Sequence, residues 1–101
     1  MIAPPPLQQP FYEPYVQEPI LSRPWQTWFV VMANGVAGQG PPPVQDKVLL
    51  TPQIISKPWR IWFQQLGTLQ SISEAPFHDP LLDQGFVSDS WGQWFYLAAS
   101  A

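Results

Sequence analysis

The chain has 101 residues, no cysteine and a formal charge of −3, with only 11% charged side chains. That length holds one small domain at most, and the missing thiols exclude a disulfide framework and a thiolate metal site. The four basic residues, Arg23, Lys47, Lys57 and Arg60, are scattered, which leaves no electrostatic footprint for nucleic acid.

Proline reaches 14 residues, while aromatics make up 15% of the chain. The usual proline level is about 5%, and a solvated disordered tail carries few aromatics. The two residue classes separate by position, with prolines in an arm and linkers and tryptophans in the segments between them. A charge content well under the usual ~25% leaves two readings, a compact monomer or a subunit covered by other chains. The second is favoured.

Residues 1–21 carry Pro4, Pro5, Pro6, Pro10, Pro14 and Pro19. Residues before proline are pushed to extended conformations, so this segment is expected to be a polyproline-II-like arm. A plain spacer would not need Phe11, Tyr12 and Tyr15, which read as anchors for pockets on a neighbour; a disordered leader is the alternative. The Pro4–Pro6 run has no flanking basic residue and reads as a stiff spacer rather than a groove ligand. Met1–Pro6 also lacks the basic head and apolar run of a signal peptide.

Residues 22–35 form the first aromatic unit, with a helix expected from Arg23 to Ala33. Ser22 is the N-cap candidate, and Pro24 sits in the first turn, where its missing N–H is tolerated. Trp25, Trp28, Phe29 and Met32 share one helical face, and Asn34-Gly35 offers a left-handed stop.

Residues 36–55 form a Gly/Pro linker. Within it, Val44–Thr51 is either a short strand, pairing with another chain, or simply extended. Residues 56–72 hold the second aromatic helix, where Trp59, Trp62, Phe63, Leu66, Leu69 and Ile72 keep helical spacing and Gly67 weakens the helix by about 1 kcal/mol. Residues 73–87 read as loop. Residues 88–101 hold a third copy, with Trp91, Trp94 and Phe95; it lacks the proline, gains Gly92, and has the weakest claim to a helix.

The three units are copies of one sentence. Ile20-Leu21-Ser22-Arg23-Pro24-Trp25-Gln26-Thr27-Trp28-Phe29 becomes Ile54-Ile55-Ser56-Lys57-Pro58-Trp59-Arg60-Ile61-Trp62-Phe63, then Phe86-Val87-Ser88-Asp89-Ser90-Trp91-Gly92-Gln93-Trp94-Phe95. The serines lie 34 and 32 residues apart, and all six tryptophans fall inside the copies. Such a period marks a repeat architecture. Helices this short are marginal alone, so the rings need a partner, either three copies around an axis or another helix of the same chain. The expected fold class is mostly irregular and extended, with short α-helices, little or no sheet, and completion by oligomerisation.

Catalytic chemistry is poorly provided for. His78-Asp79 is the one pair resembling a base and its orienting carboxylate, but no serine stands in a nucleophile elbow, and Phe77-His78-Asp79-Pro80 reads as a turn. Glu74, Asp79 and Asp83 are interrupted by Pro76 and Pro80, unlike a calcium loop. The sequence therefore suggests no catalytic, cofactor or metal residues and no enzyme. The residues expected to pack subunits are Trp25, Trp28, Phe29, Trp59, Trp62, Phe63, Leu66, Trp91, Trp94 and Phe95. Tryptophan faces could instead stack on sugar rings or seat a helix on a membrane surface, although three nearby basic side chains are too few to hold an anionic bilayer. No apolar run of about 18 residues is present to span one.

A proline-rich leader followed by Pro24-Trp25-Gln26-Thr27-Trp28-Phe29 and Pro58-Trp59-Arg60-Ile61-Trp62-Phe63 resembles small virion proteins of tailed bacteriophages, of the kind found in tail fibres, necks or collars. The resemblance covers roughly residues 20–30 and 53–70. It implies a structural subunit in a virion, with an extended arm anchored to the particle and aromatic helices that bundle as a homo-oligomer, favouring a trimer, against other virion proteins.

Overall fold

Each tryptophan motif opens a helix. In the computed structural model, which describes residues 2–13, 20–51 and 53–101, these are α1 (Arg23–Gly35), α2 (Lys57–Leu69) and α3 (Asp89–Ser100). Two antiparallel ribbons precede the later helices. Strand β1 (Leu49–Thr51) pairs with β2 (Ile54–Ile55), and β3 (Leu82–Asp83) pairs with β4 (Phe86–Val87). Ahead of α1 the same place is taken by a single bridge between Tyr12 and Leu21.

The repeat is longer than the tryptophan motif. Upstream of each ribbon lies a proline turn: Pro5-Pro6-Leu7-Gln8-Gln9, Pro42-Pro43-Val44-Gln45-Asp46 and Ala75-Pro76-Phe77-His78-Asp79. In each, the last residue's N–H donates to the carbonyl of Pro6, Pro43 or Pro76, at 3.1, 3.0 and 3.0 Å. Pro5, Pro42 and Ala75 are all buried. A unit is thus turn, ribbon and helix, and the chain is three such units.

Every unit is closed by the same hydrogen bonds. The first indole N–H, on Trp25, Trp59 and Trp91, donates to the turn carbonyl of Gln9, Asp46 and Asp79, at 3.3, 3.1 and 3.1 Å. The second, on Trp28, Trp62 and Trp94, donates to Ala3, Gly40 and Ser73, each at 2.9 Å. Buried indole N–H groups need partners, and here each partner is a carbonyl of proline-rich chain that has no ladder of its own. Tryptophan thus supplies the hydrogen bonds that the prolines cannot.

The serine of each motif acts in the same way. Ser22 and Ser88 Oγ donate to the carbonyls of Pro10 and Pro80 at 2.7 Å, and Ser56 Oγ donates to Lys47. The three serine N–H groups donate at 2.8 Å to Phe11, Val48 and Leu81. None of the hydroxyls caps its helix. The N-cap expected at Ser22 is therefore a position only, and its hydroxyl ties helix to turn. At α1 the cap is Glu13, whose Oε1 accepts from Arg23 N–H at 3.1 Å.

The units close on one another around Phe29, Phe63 and Phe95. Their ring centroids form a triangle with sides of 6.0, 5.6 and 5.7 Å, and all three are fully buried. Each also meets the first tryptophan of the next unit: Phe29 with Trp59 at 5.1 Å, Phe63 with Trp91 at 5.3 Å, and Phe95 with Trp25 at 5.5 Å. The last contact returns the third unit to the first, so the repeats form a closed pseudo-threefold ring rather than an open stack. Rings of this size bury about 150–250 Å² each, worth roughly 4–6 kcal/mol as an upper bound. Nine of them hold a chain whose strands are two or three residues long.

Several expectations are corrected. The third copy is a full helix to Ser100, and 73–87 contains the β3–β4 ribbon rather than plain loop. Strand β1 is shorter than Val44–Thr51 and pairs with β2 of its own chain rather than with another chain. The α2 helix stops at Leu69, with Ser71 at φ 55, so Ile72 lies beyond it; Leu69 is 39% exposed and does not extend the buried seam. Gly35 is not a left-handed cap, since α1 runs into extended Val36 and the positive-φ glycines are Gly38 and Gly85. Among the described residues the 1–21 segment is not a free arm, for Phe11 is fully buried in the chain's own core.

Candidate functional site

The residues expected to pack subunits are gathered in one place, and that place is the interior. Trp25, Trp28, Phe29, Trp59, Trp62, Phe63, Leu66, Trp91, Trp94 and Phe95 are each at most 4% exposed. Their threefold clustering is the arrangement the sequence suggested for separate copies, realised inside a single chain. No further copy is needed to cover them. Of the expected anchors, Phe11 packs on Trp25 at 5.4 Å, Tyr12 is half-buried beside Phe11, and Tyr15 lies outside the described residues.

The His78-Asp79 pair is a surface feature. Nε2 and Oδ2 are 3.7 Å apart, the side chains are 83% and 40% exposed, and Asp79 serves the fold through its backbone carbonyl, which accepts from Trp91. Among the described residues no three His, Asp or Glu side chains converge on a point, and no helix is long and apolar enough to cross a membrane.

What faces outward repeats as well. In each motif the first apolar residue, Ile20, Ile54 or Phe86, is 46%, 50% or 43% exposed, while the second, Leu21, Ile55 or Val87, is buried. Beside Ile20 and Phe86 a groove runs between one unit's ribbon and helix and the next unit's proline turn, and the corresponding place between α2 and the third proline turn is occupied by Arg60 over Phe77. The turn contributes the residue after its proline, Val44, Phe77 or Leu7, and the helix contributes the residue after its first tryptophan, Gln26, Arg60 or Gly92.

These three grooves differ. Between units two and three, the Phe77 ring sits 5.5 Å from Trp91, with the Arg60 guanidinium over it at 5.0 Å. Between units one and two, Val44 and Gln26 are smaller, and a cavity of about 360 Å³ remains, lined in part by Tyr12, Ile20, Lys47 and Trp59. Between units three and one, Leu7 packs on Gly92, where an added Cβ would come within 3.2 Å of its Cδ2, and about 450 Å³ remains open.

Tyr12 lies at the wall of the first open groove. Burial raises its phenol above the ordinary value of 10.0, and a backbone hydrogen bond with Leu49 acts in the opposite direction. The grooves are hard to see in the sequence because the proline turns that wall them have neither helical nor strand periodicity. The signal that finds them is the Pro-Pro or Ala-Pro pair followed three residues on by Gln or Asp, recurring once ahead of each tryptophan pair at spacings of 37 and 33 residues between Pro6, Pro43 and Pro76.

No protein-family model matches the chain, and neither a curated protein nor a solved structure shows significant similarity to it.

Proposed function

We propose that the chain is a non-enzymatic structural subunit of a tailed-phage virion, where it joins tail, neck or fibre components. The observation that carries this reading is the pseudo-threefold body: one chain presents three related outer faces, each with an exposed apolar residue at Ile20, Ile54 or Phe86. A body of that kind matches neighbours arranged around a threefold axis, and its aromatic interior suits a mechanical joint. Contacts with such neighbours, or with further copies of the chain, run through the grooves and ribbon edges, not through the tryptophans.

The two rival readings lose their surface. A sugar-stacking platform and a membrane-seated helix both need tryptophan faces in solvent, and the six tryptophans are 0–4% exposed. The test is sedimentation of a phage lysate from cells carrying the gene. The chain should co-band with intact particles and cross-link to a particle protein through photo-reactive residues at Ile54 or Phe86. A chain that stays at the top of the gradient while particles band below would refute the assignment.

A further inference from the structure

We propose that the groove between the third ribbon, α3 and the first proline turn binds an arginine side chain of a partner polypeptide. The argument begins with the one groove the chain fills for itself. There an aromatic ring, Phe77, and a guanidinium, Arg60, stack at 5.0 Å. In the groove between units three and one, the position of Arg60 is taken by Gly92 and that of Phe77 by Leu7. The guanidinium is absent, and a cavity of about 450 Å³ stands open.

The lining of that cavity is suited to a guanidinium from outside. Phe86 and Tyr96 bring aromatic rings, at 43% and 55% exposure, and Asp83 and Asp89 bring carboxylates. Neither carboxylate has an ion-pair partner among the described residues. A planar, weakly hydrated guanidinium can stack on a ring and pair with a carboxylate at once, while an ammonium is a compact, strongly hydrated charge. The chain's formal charge of −3 adds a field of the same sense. The other open groove carries Lys47 beside Asp46 and does not share this character. The inference concerns the partner's chemistry and holds whether or not the particle is a virion.

The test uses the intact chain and three end-blocked peptides of the form Gly-Gly-X-Gly-Gly, with X as arginine, lysine or citrulline. Amide shifts are followed by NMR at low salt. Arginine should shift Gly92, Gln93 and Tyr96 saturably, with a Kd in the millimolar range, roughly −4 kcal/mol, and lysine and citrulline should bind several-fold more weakly. Exposed charge pairs are each weak, so Asp83→Asn with Asp89→Asn should weaken arginine binding about two- to thirtyfold, and 0.5 M salt should weaken it in the same direction. Both carboxylates belong to exposed residues, and an unchanged spectrum elsewhere would show that the variant folds. Equal binding of all three peptides, or arginine shifts that cluster at the groove of Val44 instead, would overturn the proposal.

Discussion

Truncating Phe63 to alanine tests the closed ring directly. Its side chain is fully buried and lies within 6.0 Å, centroid to centroid, of Trp59, Trp62, Trp91, Trp94, Phe29 and Phe95. Removing a core phenylalanine costs about 3–5 kcal/mol, and six aromatic neighbours place this site toward the upper end. A domain of this length is stable by about 5–15 kcal/mol. At about 4–8 °C per kcal/mol, Tm should fall by roughly 15–40 °C. Pseudo-symmetry adds a stricter demand: Phe29→Ala and Phe95→Ala should cost the same within about 1 kcal/mol, since each ring occupies the same corner of the triangle. Urea melts followed by tryptophan fluorescence give the numbers. Run over a fiftyfold range of protein concentration, they also separate closure within a chain from assembly between chains, because only an oligomer gains stability by mass action. A midpoint that climbs with concentration would refute the closed ring, as would one phenylalanine whose loss costs under about 1 kcal/mol.

Three further outcomes follow from the same geometry. Ser22→Ala or Ser56→Ala removes a buried hydroxyl that ties helix to turn, and each should cost about 1–3 kcal/mol by chemical denaturation, with partly exposed Ser88→Ala at the low end; three neutral substitutions would show the tie to be incidental. Gly67→Ala should stabilise by about 0.5–1 kcal/mol through helix propensity, because the new Cβ meets Trp94 Cζ2 at an ordinary 3.4 Å beside a hollow, and Ala33 and Ala99 already carry that methyl in the other helices; a fall in Tm would mean the Trp94 contact is tighter than it looks. The phenol of Tyr12 keeps its proton to higher pH in the folded chain than in the unfolded one, so its share of the stability is intact below pH about 10 and is lost as pH rises through the raised value; denaturation at pH 9 and pH 11 should show a drop that Tyr12→Phe reduces.

The helices were legible because their signal is dense. Two tryptophans and a phenylalanine at i, i+3 and i+4 define a face, and the proline behind them marks the start. Placing that face was harder. Rings with no visible partner fit a bundle of separate chains as well as a ring within one, and the deciding contact, Phe95 with Trp25, joins residues 70 positions apart. The proline segments hide their role for a related reason. Proline removes a donor, so its segments look unable to join a fold, but their carbonyls remain free to accept. The structure uses that capacity nine times, in six indole and three serine bonds. The ribbons, two to three residues long, carry no alternation a sequence could display.

A threefold body made by one chain has a freedom that three identical chains lack. The three phenylalanines close against copies of themselves and against the first tryptophan of the next unit, and they, both tryptophans and the serine are the same in all three units. At the outer grooves between units the copies have diverged. Leu7, Val44 and Phe77 differ, as do Gln26, Arg60 and Gly92. One groove is filled by its own ring and guanidinium, and the other two stay open with different charge around them. The symmetric part of the sequence is therefore what folds, and the asymmetric part is what a neighbour can tell apart. If the neighbours do stand around a threefold axis, as proposed, the body fits them in three rotations that differ only in which groove meets which neighbour. The three rotations would be equivalent if the neighbours are identical. A single unlike neighbour bearing an arginine would select one of them, by placing that side chain between Asp83 and Asp89.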